Sequence, residues 1–335
     1  MPLLYVPTID FGPYLAGTPD GKAQVAAEIA KACTNIGFLI LTNHGVDRAL
    51  TERVVATAKA FFALSLDEKM EVARPAPDVP RGYSPVANES VSYGSSRTLT
   101  PGDLKESLDI GPVDIPSTDP YYSCAEGRIH FRRNLWPRRP EDLKILLPSY
   151  YKVMENLSLQ LMRVFALGLG IDEFFFDDKI DKHITVLRAM NYPEQPEAPE
   201  QGQLRAGAHC DYGSLTILRS ENAPGGLQVR NASGEWCDVP VVENSFVVNL
   251  GDLMMRWTND QWVSTEHRVV NPPRDRCMST RLSLVFFHQP NYDALAECIP
   301  TCQSVDNPPR YEPITSGDHL LSNFTKQTTF ADQTE

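Results

Sequence analysis

Two histidines and one aspartate are the residues of this chain whose types and spacing best suit metal chemistry. His209 and Asp211 lie two residues apart, and His267 follows further along the chain. Because residues two apart on a β-strand point to the same face, we expect His209 and Asp211 to face one way and Cys210 the other. Two imidazoles and one carboxylate with open coordination positions are typical of a mononuclear non-haem iron site. A zinc hydrolase is the alternative, and it would also need a positioned base for its water.

An arginine and a serine downstream of the second histidine predict a seat for an anion. The run over residues 281–288 reads as a strand in which Arg281, Ser283, Val285 and Phe287 share one face. A buried arginine needs an anionic partner. A guanidinium binds a carboxylate through two hydrogen bonds, and a serine hydroxyl can add a third. Arg281 and Ser283 therefore suit the distal carboxylate of 2-oxoglutarate.

A second strand, predicted over residues 184–192, supplies more polar groups for the same interior. One of its faces carries Ile184, Val186, Arg188, Met190 and Tyr192. Tyr192 could hydrogen-bond the same carboxylate, and Arg188 could meet a polar substrate beside the flat apolar surface of Phe287. The alternatives are a structural ion pair for Arg188 and core packing for Phe287.

Composition limits the classes of partner. The chain has 335 residues, with 31 basic and 43 acidic side chains and a net charge of −12, which argues against nucleic-acid and anionic-membrane partners. No apolar run approaches the roughly 18 residues of a membrane helix, and the first residues lack the basic region of a signal peptide. Seven irregularly spaced cysteines fit a reducing compartment. We expect a cytoplasmic monomer that acts on a small molecule.

Apolar periodicity predicts a helical first half and a strand-rich second half. Helices are expected over residues 22–35, from an Asp47 cap to about residue 63, from about Pro148 in a first turn to about Leu167, and over 317–327. A buried strand is expected over residues 38–42. Later strands are expected over 184–192, 205–209, 215–220, 227–230, 236–239, 245–250, 266–270 and 281–288. Eight short strands after helices favour a jelly roll.

The chain is therefore predicted to be a single domain over residues 1–335. Residues 1–180 would be mostly helical support and covering loops, 181–290 the jelly-roll core with the metal site, and 291–335 a C-terminal segment. The stretch Arg81-Gly-Tyr-Ser84 is expected in a loop, and residues 105–110 in a strand. Proline-rich residues 75–101 and 112–140 would close over the substrate together with the C-terminal helix.

Several stretches resemble the isopenicillin N synthase-like branch of the Fe(II)/2-oxoglutarate dioxygenases. They are Pro7-Thr-Ile-Asp-Phe11, Gly37-Phe38 with Asn43-His-Gly45, His209-Cys-Asp211, Gly225-Gly-Leu-Gln-Val229, Val248-Asn-Leu-Gly-Asp-Leu253, Ser264-Thr-Glu-His-Arg-Val269, and Arg281-x-Ser283 with Pro290-Asn291. The resemblance implies that His209, Asp211 and His267 bind Fe(II). It also implies that Arg281, Ser283 and Tyr192 bind 2-oxoglutarate, with O₂ as the second co-substrate.

Other stretches resemble thymine 7-hydroxylases, a group within this family. They are Arg81-Gly-Tyr-Ser84, Arg205-Ala-Gly-Ala-His209, Asp211-Tyr-Gly-Ser214, Arg256-Trp-Thr-Asn-Asp260 and Phe286-Phe287. This similarity implies that Arg188, Tyr212 and Phe287 surround a flat, pyrimidine-like heterocycle. Two positions depart from the family: Cys210 stands where threonine is common, and Met190 where many plant members have asparagine.

The reaction implied by the resemblance is hydroxylation of a small organic molecule, with release of succinate and CO₂. A desaturase or ring-forming oxidase of secondary metabolism is an alternative that uses the same oxidant. A catalytically silent binding protein on the same scaffold is a third hypothesis. The three candidate iron ligands argue against that last reading, because a silent protein does not need them.

Overall fold

The computed structural model describes residues 5–76, 78–92, 101–116 and 118–328. Its strands, in chain order, are β1 Thr8–Asp10, β2 Phe38–Thr42, β3 Gly82–Ser84, β4 Glu106–Ile110, β5 Val186–Tyr192, β6 Ala206–His209, β7 Leu215–Ser220, β8 Leu227–Arg230, β9 Trp236–Asp238, β10 Phe246–Leu250, β11 His267–Val269, β12 Arg281–His288, β13 Leu295–Ala296 and β14 Ile314–Thr315. A large sheet has the order β1-β2-β10-β7-β12-β5-β4-β3, and a smaller one the order β6-β11-β8-β9. Strands β13 and β14 form a separate pair.

The longer helices pack on one face of the large sheet. In chain order the helices are α1 Gly12–Leu15, α2 Pro19–Asn35, α3 Arg48–Phe62, α4 Leu66–Met70, α5 Pro120–Ser123, α6 Ala125–His130, α7 Leu143–Gly168, α8 Asp177–Ile180, α9 Asp252–Trp257 and α10 Ser316–Thr328. Among the described residues, none of the helices is both long and apolar enough to cross a membrane.

Local signals explain where the main helices begin. The Asp47 side chain accepts a hydrogen bond from the backbone N–H of Ala49, which confirms the predicted cap of α3. Helix α7 begins at Leu143, so the prediction that Pro148 lies in its first turn is wrong. Pro148 is the sixth residue of the helix, so it leaves the carbonyl oxygen of Lys144 without its intrahelical hydrogen bond.

The predicted strands are present with ends shifted by a residue or two, and several other segments differ from expectation. Residues 82–84 form β3, paired with β4, so the prediction of a loop there is wrong. Strands β1 to β4 join the large sheet, which makes the first half more mixed than predicted. The covering stretch 112–140 contains α5 and α6. Residues 77, 93–100 and 117 of the predicted covering loops lie outside the described residues.

The large sheet separates two apolar clusters. On one face, Leu39 and Leu41 of β2 join a cluster that includes side chains of α2, α3 and α7. On the other face, Phe38 and Ile40 pack with residues of the smaller sheet, among them Val229. Alternation along each strand produces this division. The polar candidate residues lie between the two sheets.

Candidate active site

The three candidate metal ligands converge at one end of the smaller sheet. His209 ends β6 and pairs with His267, the first residue of β11. Asp211 lies just past the end of β6, with its Oδ1 3.8 Å from His209 Nε2 and 3.7 Å from His267 Nε2. One ligand atom from each residue fits within 4.8 Å of the others. His209 and Asp211 do face the same way, but β6 ends at His209, so Asp211 is placed by the irregular segment that follows the strand and not by strand alternation.

Hydrogen bonds fix the orientation of both imidazoles. His209 Nδ1 lies 2.8 Å from the carbonyl oxygen of Gly207, and His267 Nδ1 lies 3.1 Å from that of Thr265. Because a carbonyl only accepts, each Nδ1 carries the proton and each Nε2 keeps a free lone pair. Burial and the neighbouring His267 lower the pKa of His209 to about 3, so its ring is neutral at pH 7. A neutral ring is the form that binds a metal.

The two oxygens of Asp211 have different surroundings. Oδ2 accepts hydrogen bonds from Thr216 Oγ1 at 2.6 Å and Asn249 Nδ2 at 2.7 Å. Burial raises the pKa of this carboxyl, but the two histidines and these hydrogen bonds hold it below its ordinary value. The ionised Oδ1 is thereby left for a metal. A set of two neutral nitrogens and one carboxylate oxygen fits Fe(II) with open positions.

Sequence reasoning missed Thr216 and Asn249, although one signal was available. Asn249 is an amide inside the otherwise apolar, fully buried strand Phe246–Leu250. A buried amide requires a hydrogen-bonding partner, so its position predicts a polar site on that face. Thr216 is the residue that pairs with Asn249 across β7 and β10.

The residues predicted for the anion seat lie together on β5 and β12. Arg281 pairs with Tyr192, and Ser283 pairs with Met190. Arg281 Nη1 donates to the Gly225 carbonyl at 2.8 Å, and its Nη2 donates to the Ser220 hydroxyl. The shared face predicted for these strands is confirmed by this register.

Several donors of this seat have weak partners or none. The Nε of Arg281 is buried without a hydrogen-bonding partner among the described residues. Tyr192 donates its hydroxyl to the Met190 sulfur at 3.8 Å, and a thioether is a weak acceptor. The Ser220 and Ser283 hydroxyls lie 3.2 Å apart. Arg281 Nε and the hydroxyls of Tyr192 and Ser283 can therefore donate to a carboxylate oxygen without losing strong hydrogen bonds within the protein.

A cavity of about 220 Å³ adjoins the metal ligands. His209 and Asp211 line its floor, and Arg188, Tyr212 and Phe287 line its walls, so that the three predicted substrate residues come together. The Arg188 guanidinium lies 5.8 Å from the centre of the Phe287 ring. Leu320 and Phe324 of α10 also line the cavity. A larger surface cleft of about 630 Å³ beside α3 contains none of the metal ligands.

Arg188 is held in an ion-pair network at this cavity. Its Nε and Nη2 each donate to Asp109 at 2.7 Å, and its Nη1 lies 3.4 Å from Glu89. Arg74 bridges the same two carboxylates. Burial raises the pKa of Glu89, but Arg188 and Arg74 outweigh it and keep the carboxylate ionised. The predicted alternative of a structural ion pair is thus present, and Asp109, Glu89 and Arg74 were not predicted.

Comparison with known protein families agrees with this geometry. The family described as the N-terminal region of non-haem dioxygenases in morphine synthesis matches residues 6–139. The 2OG-Fe(II) oxygenase superfamily matches residues 182–290, which include all three candidate ligands. The chain belongs to this superfamily and is a 2-oxoglutarate-dependent non-haem iron oxygenase. Its cofactor is Fe(II), and its co-substrates are 2-oxoglutarate and O₂.

Particular relatives resemble the chain over nearly its whole length. The 2-oxoglutarate-Fe(II) type oxidoreductase hxnY of Emericella nidulans is 36% identical, over 95% of this chain and 89% of the relative. Homoarginine-6-hydroxylase 2-ODD-233 of Oryza sativa subsp. japonica is 31% identical, over 95% and 97%. The Neurospora crassa thymine 7-hydroxylase crystallised with alpha-KG and thymine is 34% identical over 96% of both chains, with a TM-score of 0.82.

Proposed function

We propose that this protein hydroxylates a small organic molecule in the cavity beside His209, Asp211 and His267, which bind the Fe(II). The observation that carries this proposal is the convergence of two Nε2 lone pairs and one carboxylate oxygen within 4.8 Å of one another, with His209 and Asp211 lining that cavity. Bound iron supplies O₂ activation, which is coupled to conversion of 2-oxoglutarate into succinate and CO₂ and to oxidation of a substrate C–H bond. Thr216 and Asn249 hold Asp211 in place, and backbone carbonyl groups hold the two histidines.

In this proposal the distal carboxylate of 2-oxoglutarate binds Arg281, Ser283 and Tyr192. The support is their burial on adjacent strands and the donors that lack strong partners. Tyr192 would exchange its bond to a thioether for one to a carboxylate, which is a much stronger acceptor. A guanidinium and two hydroxyls match a carboxylate in charge and in number of donors.

Arg188, Tyr212 and Phe287 are proposed to bind the substrate, with a pyrimidine-like heterocycle as the favoured class. A cavity of about 220 Å³ suits a molecule of about one ring, being smaller than the roughly 300 Å³ at which drug-sized sites begin. Phe287 offers a flat face for a ring. Arg188 Nη1 is available to donate to the substrate, because its contact to Glu89 is long, at 3.4 Å. The structural relative from Neurospora crassa was crystallised with thymine.

We further infer that residues 1–335 form one dioxygenase domain whose two sheets make a jelly roll with its core at residues 181–290. In support, a single apolar cluster extends from Ile9 to Cys302 and joins the two halves. The protein is proposed to be a cytoplasmic monomer that binds neither nucleic acid nor membranes. Its seven free thiols suit a reducing compartment, and its net charge of −12 disfavours phosphate-rich partners.

A substrate screen read by succinate formation tests the proposed function. Thymine, related pyrimidines and L-homoarginine are supplied with Fe(II), ascorbate and 2-oxoglutarate. A pyrimidine should stimulate succinate release and gain one oxygen atom by mass spectrometry. Phe287→Ala should raise KM for that pyrimidine about tenfold or more, because it removes a buried aromatic contact worth about 1.5 kcal/mol or more, and leave the KM for 2-oxoglutarate unchanged. Stimulation by homoarginine alone, or an unhydroxylated desaturated product, would contradict the proposal.

A further inference from the structure

Arg205 is a fully buried guanidinium close to the proposed 2-oxoglutarate seat, and the reaction as described gives it no role. Its Nη1 donates to the carbonyl oxygens of Pro224 and Gly225, at 2.7 and 3.3 Å. Its Nη2 donates to the carbonyl oxygen of Ser279. Arg205 therefore joins two backbone segments, the turn before β8 and the approach to β12.

Both of these segments flank Arg281. Ser279 is two residues before it, and the Gly225 carbonyl that accepts from Arg205 also accepts from Arg281 Nη1. The backbone at Gly225 is closely packed, since this residue has a φ of +75° and a Cβ there would lie 2.6 Å from the Pro272 nitrogen. A change at Arg205 would thus be transmitted to the guanidinium of Arg281.

The two arginines also form an unbalanced pair of charges. Among the described residues, no carboxylate forms an ion pair with either guanidinium, and Glu221, whose charge acts on Arg281, is paired with Lys59. Each arginine also leaves a buried Nε without a hydrogen-bonding partner among those residues. Burial and mutual repulsion lower the pKa of Arg205 to about 10, and burial also lowers that of Arg281. The Tyr192 ring lies 5.8 Å below the Arg205 guanidinium. Two buried like charges next to each other are costly until an anion arrives.

We propose that Arg205 is a positioning residue for 2-oxoglutarate. It fixes the two segments that orient Arg281, and its charge adds to the attraction of the seat for the distal carboxylate. The proposal rests on the seat at Arg281, Ser283 and Tyr192.

Calorimetric binding of 2-oxoglutarate to Mn(II)-loaded protein tests this role without turnover. Arg205→Gln and Arg205→Lys should each raise the Kd for 2-oxoglutarate about tenfold or more, which corresponds to about 1.4 kcal/mol. Lysine keeps the charge but has no planar fork to span Gly225 and Ser279, so it should not restore affinity. The Kd for Mn(II) alone should stay at the wild-type value, because the His209 ring is held by Gly207.

Arg81 provides a matched control. It is also a buried guanidinium and, among the described residues, it donates only to the carbonyl groups of Pro80, His130 and Arg132. Arg81→Lys should lower thermal stability and leave the Kd for 2-oxoglutarate unchanged. An Arg205→Lys variant that binds 2-oxoglutarate within about twofold of wild type would overturn the proposal, as would an equal loss of affinity in Arg81→Lys. If Arg205→Gln does not fold, the Kd of the Arg205→Lys variant for 2-oxoglutarate decides whether Arg205 has this role. Wild-type protein that fails to bind 2-oxoglutarate would overturn the seat itself.

Discussion

At the scale of single residues, Asp211 shows how the chain prepares a metal ligand. Thr216 and Asn249 occupy its Oδ2, so that only Oδ1 faces the two Nε2 atoms. Groups that hydrogen-bond a ligand fix its direction and raise metal affinity, and their loss typically weakens binding 10- to 100-fold (about 1.4 to 2.7 kcal/mol). The two residues are therefore expected to matter nearly as much as a ligand.

Thr216→Val should raise the Kd for Fe(II) about tenfold, because it removes a donor from Asp211 while keeping the shape of the side chain. Anaerobic titration with Fe(II) or Mn(II) measures this. Thr258→Val is the matched control, since the Thr258 hydroxyl is also buried and, within the described part of the chain, bonds only to backbone groups, the carbonyls of Met254 and Met255 and the N–H of Trp262. Equal metal affinity in Thr216→Val and wild type would show that Asp211 needs no such support.

Arg188 should contribute to folding as well as to the cavity. Asp109 is fully buried and receives two of its hydrogen bonds from Arg188. Arg188→Met leaves part of this charge unpaired and should lower the free energy of unfolding by about 3 kcal/mol. Urea unfolding without substrate measures it. Arg48→Met removes an exposed arginine paired with Glu52 and Glu243, and should change stability by less than about 1 kcal/mol. Equal effects of the two substitutions would contradict the account.

At the scale of elements, the covering segment that contains α5 and α6 packs on the end of the fold through aromatic rings. Tyr121 stacks on Tyr292 with ring centres 4.5 Å apart, and the His130 ring stacks on the other side at 5.5 Å. Arg81 donates to the carbonyl of His130 and so ties the segment to β3. The Phe324 ring of α10 meets the Tyr212 ring edge-on, with ring centres 6.3 Å apart, in the same apolar cluster as Tyr292. These contacts make the cover ordered rather than a flexible linker.

Protonation of His130 should weaken this packing in acid. Burial and the nearby Arg81 lower the pKa of His130 from 6.5 to about 4, against the opposing effect of Asp318. The unfolded chain therefore takes up this proton first, and stability falls as the pH drops from 6.5 towards 4, with no contribution to the slope above 6.5. In urea unfolding over that window, wild type should lose stability more steeply than His130→Gln. Parallel curves would contradict this.

At the scale of the whole molecule, the sequence was most informative where periodicity and local chemistry agree. Strand alternation correctly placed Arg281, Ser283 and Tyr192 on facing positions of β12 and β5. It could not show that β6 ends at His209, because Asp211 is held by hydrogen bonds from Asn249 of β10 and Thr216 of β7, which are distant in the sequence or on a later strand. The partners Asp109 and Glu89 of Arg188 come from distant segments, and no local pattern in the sequence identifies such pairs.

The two sheets enclose the polar groups of the candidate site between them. Helices α2, α3 and α7 cover one face of the large sheet, while the smaller sheet covers the other and carries His209 and His267. The metal ligands thus come from one sheet and the anion seat from the other. A shift of either sheet would separate the two, so the proposed activity depends on the fold as a whole.

Whether His209, Asp211 and His267 bind Fe(II) together with 2-oxoglutarate can be tested by adding both to the protein without oxygen. The ternary complex of these two with the protein has a weak visible charge-transfer band. The wild-type protein should develop the band, and His267→Ala should not. His44→Gln serves as the control and should retain the band, since the hydrogen bonds of the His44 ring within the described ranges are to backbone groups of Asn244 and Val46. A wild-type protein without the band, or a His267→Ala variant that keeps it at full intensity, would contradict the account.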